Sequence, residues 1–484
     1  MKFTAKALAF FVALGTAAVG YAQIPFPNPI KHVIVVIQEN RTPDNLFQGL
    51  LTWPGINPSH YNIATSGQNS KGQTIVLQPT PLAIAWDLAH SHSAFTTMYD
   101  GGKMDGADKV ACGGTCPPNP AFHYVENAAH ILDPYFTLAA DYGWANFMFQ
   151  TNQGPSYPAH QFLFGGTSAP SFVDDYLGLF IAENPTQPKG SNYTAFSDTG
   201  CLAPVGEFNQ LIQANGTETK QTNTTPGTFC YTRNTMATLL DHAGLTWKYY
   251  AQKQGNPNGT NPGGSIWTAP NSIRAICDPD SGYTVCTGSE WNNNVDLIPA
   301  HVLTDISGCK LPNVTWVTPI GKNSDHAGSV NTFGGPSWVA SIVNAVGKAT
   351  TCEGGRGYWS DTAILITWDD WGGWFDHEAP PLLNSPIGDY QYGFRVPLLV
   401  VSAYTPRAFV SNKTLDFGSA LRFIEGVFNI PEGALGFADA RASNDLGNFF
   451  DFRHRPRAFA TVPAALDANF FINDTTASEP PDND

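Results

Sequence analysis

Runs of consecutive apolar, often β-branched residues alternate along the chain with segments whose apolar residues recur at helical spacing. The first run, Ile-Lys-His-Val-Ile-Val-Val-Ile at 30–37, predicts a strand buried on both faces of a parallel sheet. It breaks at Gln38-Glu39-Asn40-Arg41. A second run at 363–367 breaks in the same way at Trp368-Asp369-Asp370. Further strands are predicted at 245–250, 313–317 and 396–401, and helices at 131–142, 235–243, 336–346 and 417–428. Residues 50–80 are turn-rich, while 184–235 and 252–294 read as cap-like insertions rich in polar and turn-forming residues. Strands alternating with helices predict an α/β fold, a central mostly parallel sheet sandwiched by helices with long loop-rich insertions. One domain over 23–472 accommodates all of these elements.

Composition narrows the class. Of 484 residues, 42% are hydrophobic and 12% aromatic, which excludes a disordered chain. Only 13% are charged, beside 46 Gly and 37 Pro, the profile of a loop-rich exported protein. A net charge of −15 repels phosphate backbones and excludes general nucleic-acid binding. Lys2 and Lys6, the apolar stretch 7–20 and Gly20-Tyr21-Ala22 together predict an export leader, 1–22, cleaved after Ala22. No later stretch reads as a membrane-spanning segment, so a periplasmic or secreted protein is expected. The 8 cysteines suit disulfides formed on export. Their order suggests the neighbour pairs 112–116, 201–230, 277–286 and 309–352, one of about 105 connectivities. The acidic tail 473–484 is expected to be disordered.

The candidate chemistry sits where the buried strands end. If the two strands are parallel neighbours, Glu39, Asn40, Asp369 and Asp370 converge at one sheet edge, where open α/β sheets bind ligands. Such carboxylates repel one another unless a cation joins them, and the oxygen-rich set suits Ca²⁺, Mg²⁺ or Mn²⁺ better than Zn²⁺. Taken singly, each acid is more often a turn or cap residue. Ser156, in Gly154-Pro155-Ser156-Tyr157-Pro158, precedes an apolar stretch, so it stands at a helix N-terminus, where a phosphate binds and an alkoxide is stabilised. A capping serine is the commoner use of that position. His90 and His92 share a face if their segment is a strand. Lys103 and Asp105, in the Gly-rich stretch 100–106, could meet a phosphate, and His326 and His377 lie in loops after strands. The Gly-rich segments lack a Gly-Lys-Ser/Thr ending, and no Gly-x-Ser-x-Gly elbow is present, which disfavours a nucleotide triphosphatase and an ordinary esterase.

Residues 32–47, His-Val-Ile-Val-Val-Ile-Gln-Glu-Asn-Arg-Thr-Pro-Asp-Asn-Leu-Phe, resemble the His-x-Val-Val-x-x-x-Glu-Asn-Arg-Ser-Phe-Asp-x-x-Phe opening of the bacterial phosphoesterase family. That family holds phospholipases C and related acid phosphatases within the alkaline phosphatase superfamily. Segments 90–105, 154–166, 316–326, 338–346, 361–381 and 393–428 resemble its other blocks in order, covering about residues 30–430. The resemblance implies an alkaline phosphatase-like fold and Ser156 as the nucleophile. It implies Glu39, Asn40, Asp369 and Asp370 as ligands of a divalent metal. His90, His92, His326 and His377 are implied around the phosphate and leaving group, with His326 as phosphate contact or leaving-group acid. Lys103 and Asp105 are expected pocket residues. The chain departs from the pattern at Thr42-Pro43, beyond the ligand positions. The expected function is a metal-dependent phosphoesterase acting on phosphate esters or phospholipids, with phospholipase C-type diester hydrolysis favoured. The alternatives are an acid phosphatase acting on monoesters and, from another class, an inactive exported protein that binds a phosphorylated ligand.

Overall fold

A computed structural model describes residues 28–187, 199–252, 265–328, 334–385 and 388–476. The proposed leader lies outside them, as do parts of both insertions and residues 477–484. Eight strands form the main sheet: β1 (His32–Gln38), β2 (Gly143–Ala145), β3 (Trp247–Tyr250), β4 (Val295–Asp296), β5 (Val314–Val317), β6 (Thr362–Trp368), β7 (Leu398–Ser402) and β8 (Phe409–Ser411). Their spatial order is β4-β3-β5-β1-β6-β7-β2-β8. All neighbours are parallel except that β7 runs antiparallel to both β6 and β2. The mostly parallel α/β sheet expected from the alternating pattern is therefore present.

The long strands are those the apolar runs predicted. Every residue of β1 and β6 is buried, so both sheet faces are covered, which is why these strands read as continuous rather than alternating hydrophobic runs. Helices α2 (Asp133–Asp141), α3 (Ser156–Gly165), α4 (Met236–His242), α5 (His301–Ser307), α6 (Gly334–Lys348) and α7 (Phe417–Val427) flank the sheet, while α1 (His92–Tyr99) packs in a second apolar cluster with Trp371 and Phe394. Helix α6 packs on α2 and α5, and α3 packs on α4 and α7. Helices α1 and α5 and the short strands β2, β4 and β8 were not anticipated. Strands of two or three residues are too brief to show periodicity.

The four disulfides join neighbours as their order suggested: Cys112–Cys116, Cys201–Cys230, Cys277–Cys286 and Cys309–Cys352. The first insertion contributes to a three-stranded antiparallel sheet of Phe180–Ile181, Phe208–Ile212 and Glu218–Thr222. Its Leu211, Phe229 and Tyr231 form a small apolar cluster with Tyr157 of α3 and with Trp267 from the second insertion. Both insertions thus pack beside the first turn of α3. Most of the expected disordered tail lies outside the described residues; of its described start, Asp474 pairs with Lys322 at 2.5 Å. Among the described residues, no helix is long and apolar enough to cross a membrane.

Candidate active site

Sheet register brings the acids together. Gln38 of β1 lies opposite Trp368 of β6, so Glu39-Asn40 and Asp369-Asp370 leave the sheet side by side. Asp369 Oδ1 accepts the backbone N–H of Asn40 at 3.1 Å and that of Asp370 at 2.7 Å. Asn40 takes a left-handed backbone, φ 62°, which turns the chain back over the strand ends. Gly372, φ 61°, lies so close that a Cβ there would stand 2.4 Å from the Asn40 carbonyl oxygen. Only glycine fits that position.

Helix α3 delivers the serine. Thr151 Oγ1 donates to Asp416, the N-cap of α7, at 2.9 Å, while Gln150 and Asn152 both donate to the Gly154 carbonyl. The turn so held starts α3 at Ser156, which is fully buried. Ser156 is the first helical residue rather than the cap, so its hydroxyl is not spent on the helix. Its Oγ lies 3.2 Å from Glu39 Oε2 and 3.4 Å from Asp370 Oδ2, and its single proton serves one of them. The helix terminus itself offers little to an anion. Pro155 and Pro158 have no N–H, and the Tyr157 N–H is taken by Asn184 Oδ1 at 2.9 Å. The prolines and Asn184 thus remove the N–H groups of 155, 157 and 158 from the set expected to meet a phosphate, but not that of Ser156 itself.

His160, one turn after Ser156 on α3, was not singled out in the sequence. Its Nε2 lies 3.0 Å from Glu39 Oε1 and 3.8 Å from Asp369 Oδ2. Its Nδ1 faces Tyr249 Oη at 3.3 Å, and that hydroxyl donates to the Trp267 carbonyl at 2.7 Å. Burial pushes the imidazole down to about 4, so it is neutral. With Nδ1–H donating to Tyr249, Nε2 presents a lone pair to the carboxylates, the arrangement of a metal-binding histidine with an ordered outer partner. The spacing Ser156-x-x-x-His160, two polar residues on one face of an apolar helix, was the available signal.

His90 and His326 converge on Asn40. His90 Nδ1 bonds the Leu88 carbonyl at 2.8 Å and His326 Nδ1 bonds the Ala327 carbonyl at 2.5 Å. Carbonyls only accept, so each Nδ1 carries the hydrogen and each Nε2 accepts from Asn40 Nδ2, at 3.0 Å in both cases. Both amide hydrogens of Asn40 are thereby used, and its Oδ1 is left buried without a hydrogen-bond donor. Asp369 Oδ2 is likewise buried without one. Burial, then the charges of Asp369 and Asp370, push the Glu39 carboxyl well above its ordinary range. Crowded carboxylates, bare oxygens and a neutral imidazole are what a divalent cation would satisfy. One donor atom each from Glu39, His160 and Asp369 lies within 4.8 Å of the others.

The remaining expected residues lie elsewhere. His92 bonds Glu218 at 2.6 Å and lies 3.3 Å from Gln153 Oε1, on the wall of a cavity of about 340 Å³ that also meets Asn152, Phe162, Phe180 and Leu382. Because β-structure stops at Leu88 and α1 begins at His92, His90 and His92 do not share a strand face. Lys103 is exposed and paired with Asp100 at 2.9 Å, and Asp105 is half-buried beside them. His377 is tied to Asp44 at 2.7 Å and to Asn62 at 2.9 Å. Arg395 joins this group through Asp376 at 2.8 Å and Asp44 at 3.4 Å. It latches the loop after β1 to the loop after β6. Arg41 is also structural: it donates to the Asp325 carbonyl at 2.8 Å, holding the loop that carries His326.

The chain is similar to several known proteins. The chain is 28% identical over 302 residues to a non-hemolytic phospholipase C of Pseudomonas aeruginosa, covering 57% of this chain and 40% of that protein. It is 23% identical over 456 residues to phospholipase C A of Mycobacterium tuberculosis, covering 89% of this chain and 78% of the relative. A solved structure from Vibrio parahaemolyticus, described as a protein in the alkaline phosphatase superfamily, aligns over 84% of this chain and 69% of its own. Its identity is 10% and its TM-score 0.36. The model of the Phosphoesterase family matches residues 30–431, nearly the whole described chain, and this protein belongs to that family.

Proposed function

We propose that the protein hydrolyses phosphoric esters with Ser156 as nucleophile and a divalent cation as cofactor, and that its substrates are phosphodiesters of the phospholipid type. The observation that carries this reading is Ser156 Oγ at 3.2 and 3.4 Å from two buried carboxylates in a cluster that also holds bare oxygens of Asn40 and Asp369. Glu39, Asn40, Asp369, Asp370 and His160 would hold the cation. When bound, it would polarise the phosphate and lower the energy of the serine alkoxide. His160 supplies the imidazole whose absence set Zn²⁺ behind Ca²⁺, Mg²⁺ and Mn²⁺, so Zn²⁺ joins the candidates.

In this reading the Ser156 proton passes to Glu39 or Asp370 as Oγ attacks phosphorus in line. A phosphoserine forms and the ester oxygen departs. Water then displaces Ser156 in a second in-line step. Asn40 is oriented by His90 and His326. For His326 to protonate the leaving oxygen, its Nε2 must first gain a proton, which ends its hydrogen bond from Asn40. The diester preference is supported by the named relatives and by the largely apolar cavity beside the 151–154 turn, which would suit an acyl-bearing leaving group. Export is supported by the leader-like residues 1–22 and the four disulfides.

Paired hydrolysis of p-nitrophenyl phosphorylcholine and p-nitrophenyl phosphate, with and without EDTA and beside Ser156→Ala, tests the proposal. Diester preference that EDTA and the mutation both abolish is the expected result. Monoester preference with the same losses makes the protein a phosphatase. Turnover by a folded Ser156→Ala variant removes the nucleophile assignment, and no hydrolysis under any metal condition leaves a binding protein.

A further inference from the structure

A second group of ionisable side chains gathers at the other end of β1. His32 opens the strand, Asp361 immediately precedes β6, and Glu353 lies on the turn Cys352–Gly355, which the Cys309–Cys352 disulfide anchors. One donor atom from each of the three lies within 4.8 Å of the others. His32 is 6% exposed and Asp361 5%.

Hydrogen bonding leaves this group short of protons. His32 Nδ1 lies 2.7 Å from the Pro312 carbonyl, so it carries the hydrogen and Nε2 holds a lone pair. That Nε2 is buried without a hydrogen-bond partner, 3.8 Å from Glu353 Oε1, and neither atom can donate to the other. Asp361 Oδ1 is also buried and unpartnered. Lys31 engages the outer oxygens, Asp361 Oδ2 at 3.2 Å and Glu353 Oε2 at 3.5 Å. The latch of Asp44, Asp376 and His377 is different: Arg395 already supplies its positive charge, and none of its side-chain atoms is left unpartnered.

We propose that His32, Glu353 and Asp361 form a second divalent-cation site, which joins β1, β6 and the disulfide-anchored turn at the end of the sheet remote from Ser156. An imidazole nitrogen with two carboxylate oxygens is a donor set for Zn²⁺ and similar first-row ions, and the Pro312 carbonyl behind the imidazole is the outer partner such ligands use. Lys31, its side chain 45% exposed, can return its ammonium to water as the ion enters. Seven residue steps of extended chain separate His32 from Glu39, roughly 20 Å, so the site is structural and independent of the catalytic proposal.

The test uses the full chain, stripped with a chelator and titrated with Zn²⁺. Glu353→Gln is the first variant, because Glu353 is at the rim and its loss leaves no buried gap; His32→Gln is the second. Each is expected to bind one Zn²⁺ equivalent fewer than the parent, or to bind it at least ~10-fold more weakly. The Zn²⁺-induced rise in Tm should shrink, while hydrolysis by Glu353→Gln stays at the parent rate. Equal stoichiometry and equal affinity in parent and Glu353→Gln, or no Zn²⁺ equivalent beyond those lost in Asp370→Asn, overturns the proposal.

Discussion

Asn40 shows how single atoms decide this site. Two histidines whose tautomers are set by backbone carbonyls consume both amide hydrogens and turn the amide oxygen bare. Asn40→Asp should keep a ligand oxygen but lose both donors, so activity is expected to fall at least ~10-fold with a weaker metal requirement curve, read by metal-dependent kinetics. His160→Ala should lower metal affinity by ~10-fold or more, read by titration of the stripped protein. His377 carries a pH prediction of its own. Burial alone would lower it, but the hydrogen bonds it donates to Asp44 and Glu378 outweigh burial and push it up to about 10. A folded value above the unfolded ~6.5 means that its stabilisation is complete below ~6.5 and is lost as pH rises towards 10. His377→Asn should therefore lower Tm at pH 6 and have a much smaller effect at pH 10, seen in thermal melts across that range.

At the scale of elements, the site is two strand ends and one helix start locked against one another. The Thr151–Asp416 bond ties the turn before α3 to α7, and the Asp44–His377–Arg395 latch ties the two strand-end loops. Gly372 is where these loops touch. Gly372→Ala would place a methyl against Asn40 on a left-handed backbone, at a cost of about 1–3 kcal/mol, and should reduce activity more than stability alone explains. Comparing the Tm of Gly372→Ala with its kcat at a temperature where it is fully folded separates the two effects. The apolar runs of β1 and β6 were readable because both their faces are buried; β2, β4 and β8 were not, because their two or three residues owe their state to neighbours rather than to their own pattern.

For the molecule as a whole, the sheet separates two clusters of ionisable side chains along β1. Its C-terminal end presents the acid cluster, and its N-terminal end presents His32 beside the turn anchored by Cys352. The Cys309–Cys352 bond spans 43 residues of sequence, so loop closure alone gives it about 4 kcal/mol against the unfolded chain. Reduction should lower Tm by several degrees while the remaining folded fraction retains hydrolysis, checked by melts and assays with and without a thiol reductant. The described parts of the insertions meet the first turn of α3 through an apolar cluster of Tyr157, Leu211, Phe229 and Trp267.

Sequence alone determined the strands that end in Glu39-Asn40 and Asp369-Asp370, because continuous apolar runs broken by acids are local facts about the chain. It pointed to the family as well, through motifs spread over about residues 30–430, and the family model matches 30–431. The pairing of those strands, and hence the convergence of their acids, is a matter of sheet order that no local pattern encodes. Tertiary structure gave His160 its surroundings: the helical spacing puts it on the face of Ser156, but only the fold shows that this face meets Glu39 and Asp369. It also divided the histidines: His90 and His326 on Asn40, His92 on a cavity wall, His377 in a latch. A histidine's role is set by what surrounds its two nitrogens, and those surroundings come from segments hundreds of residues apart.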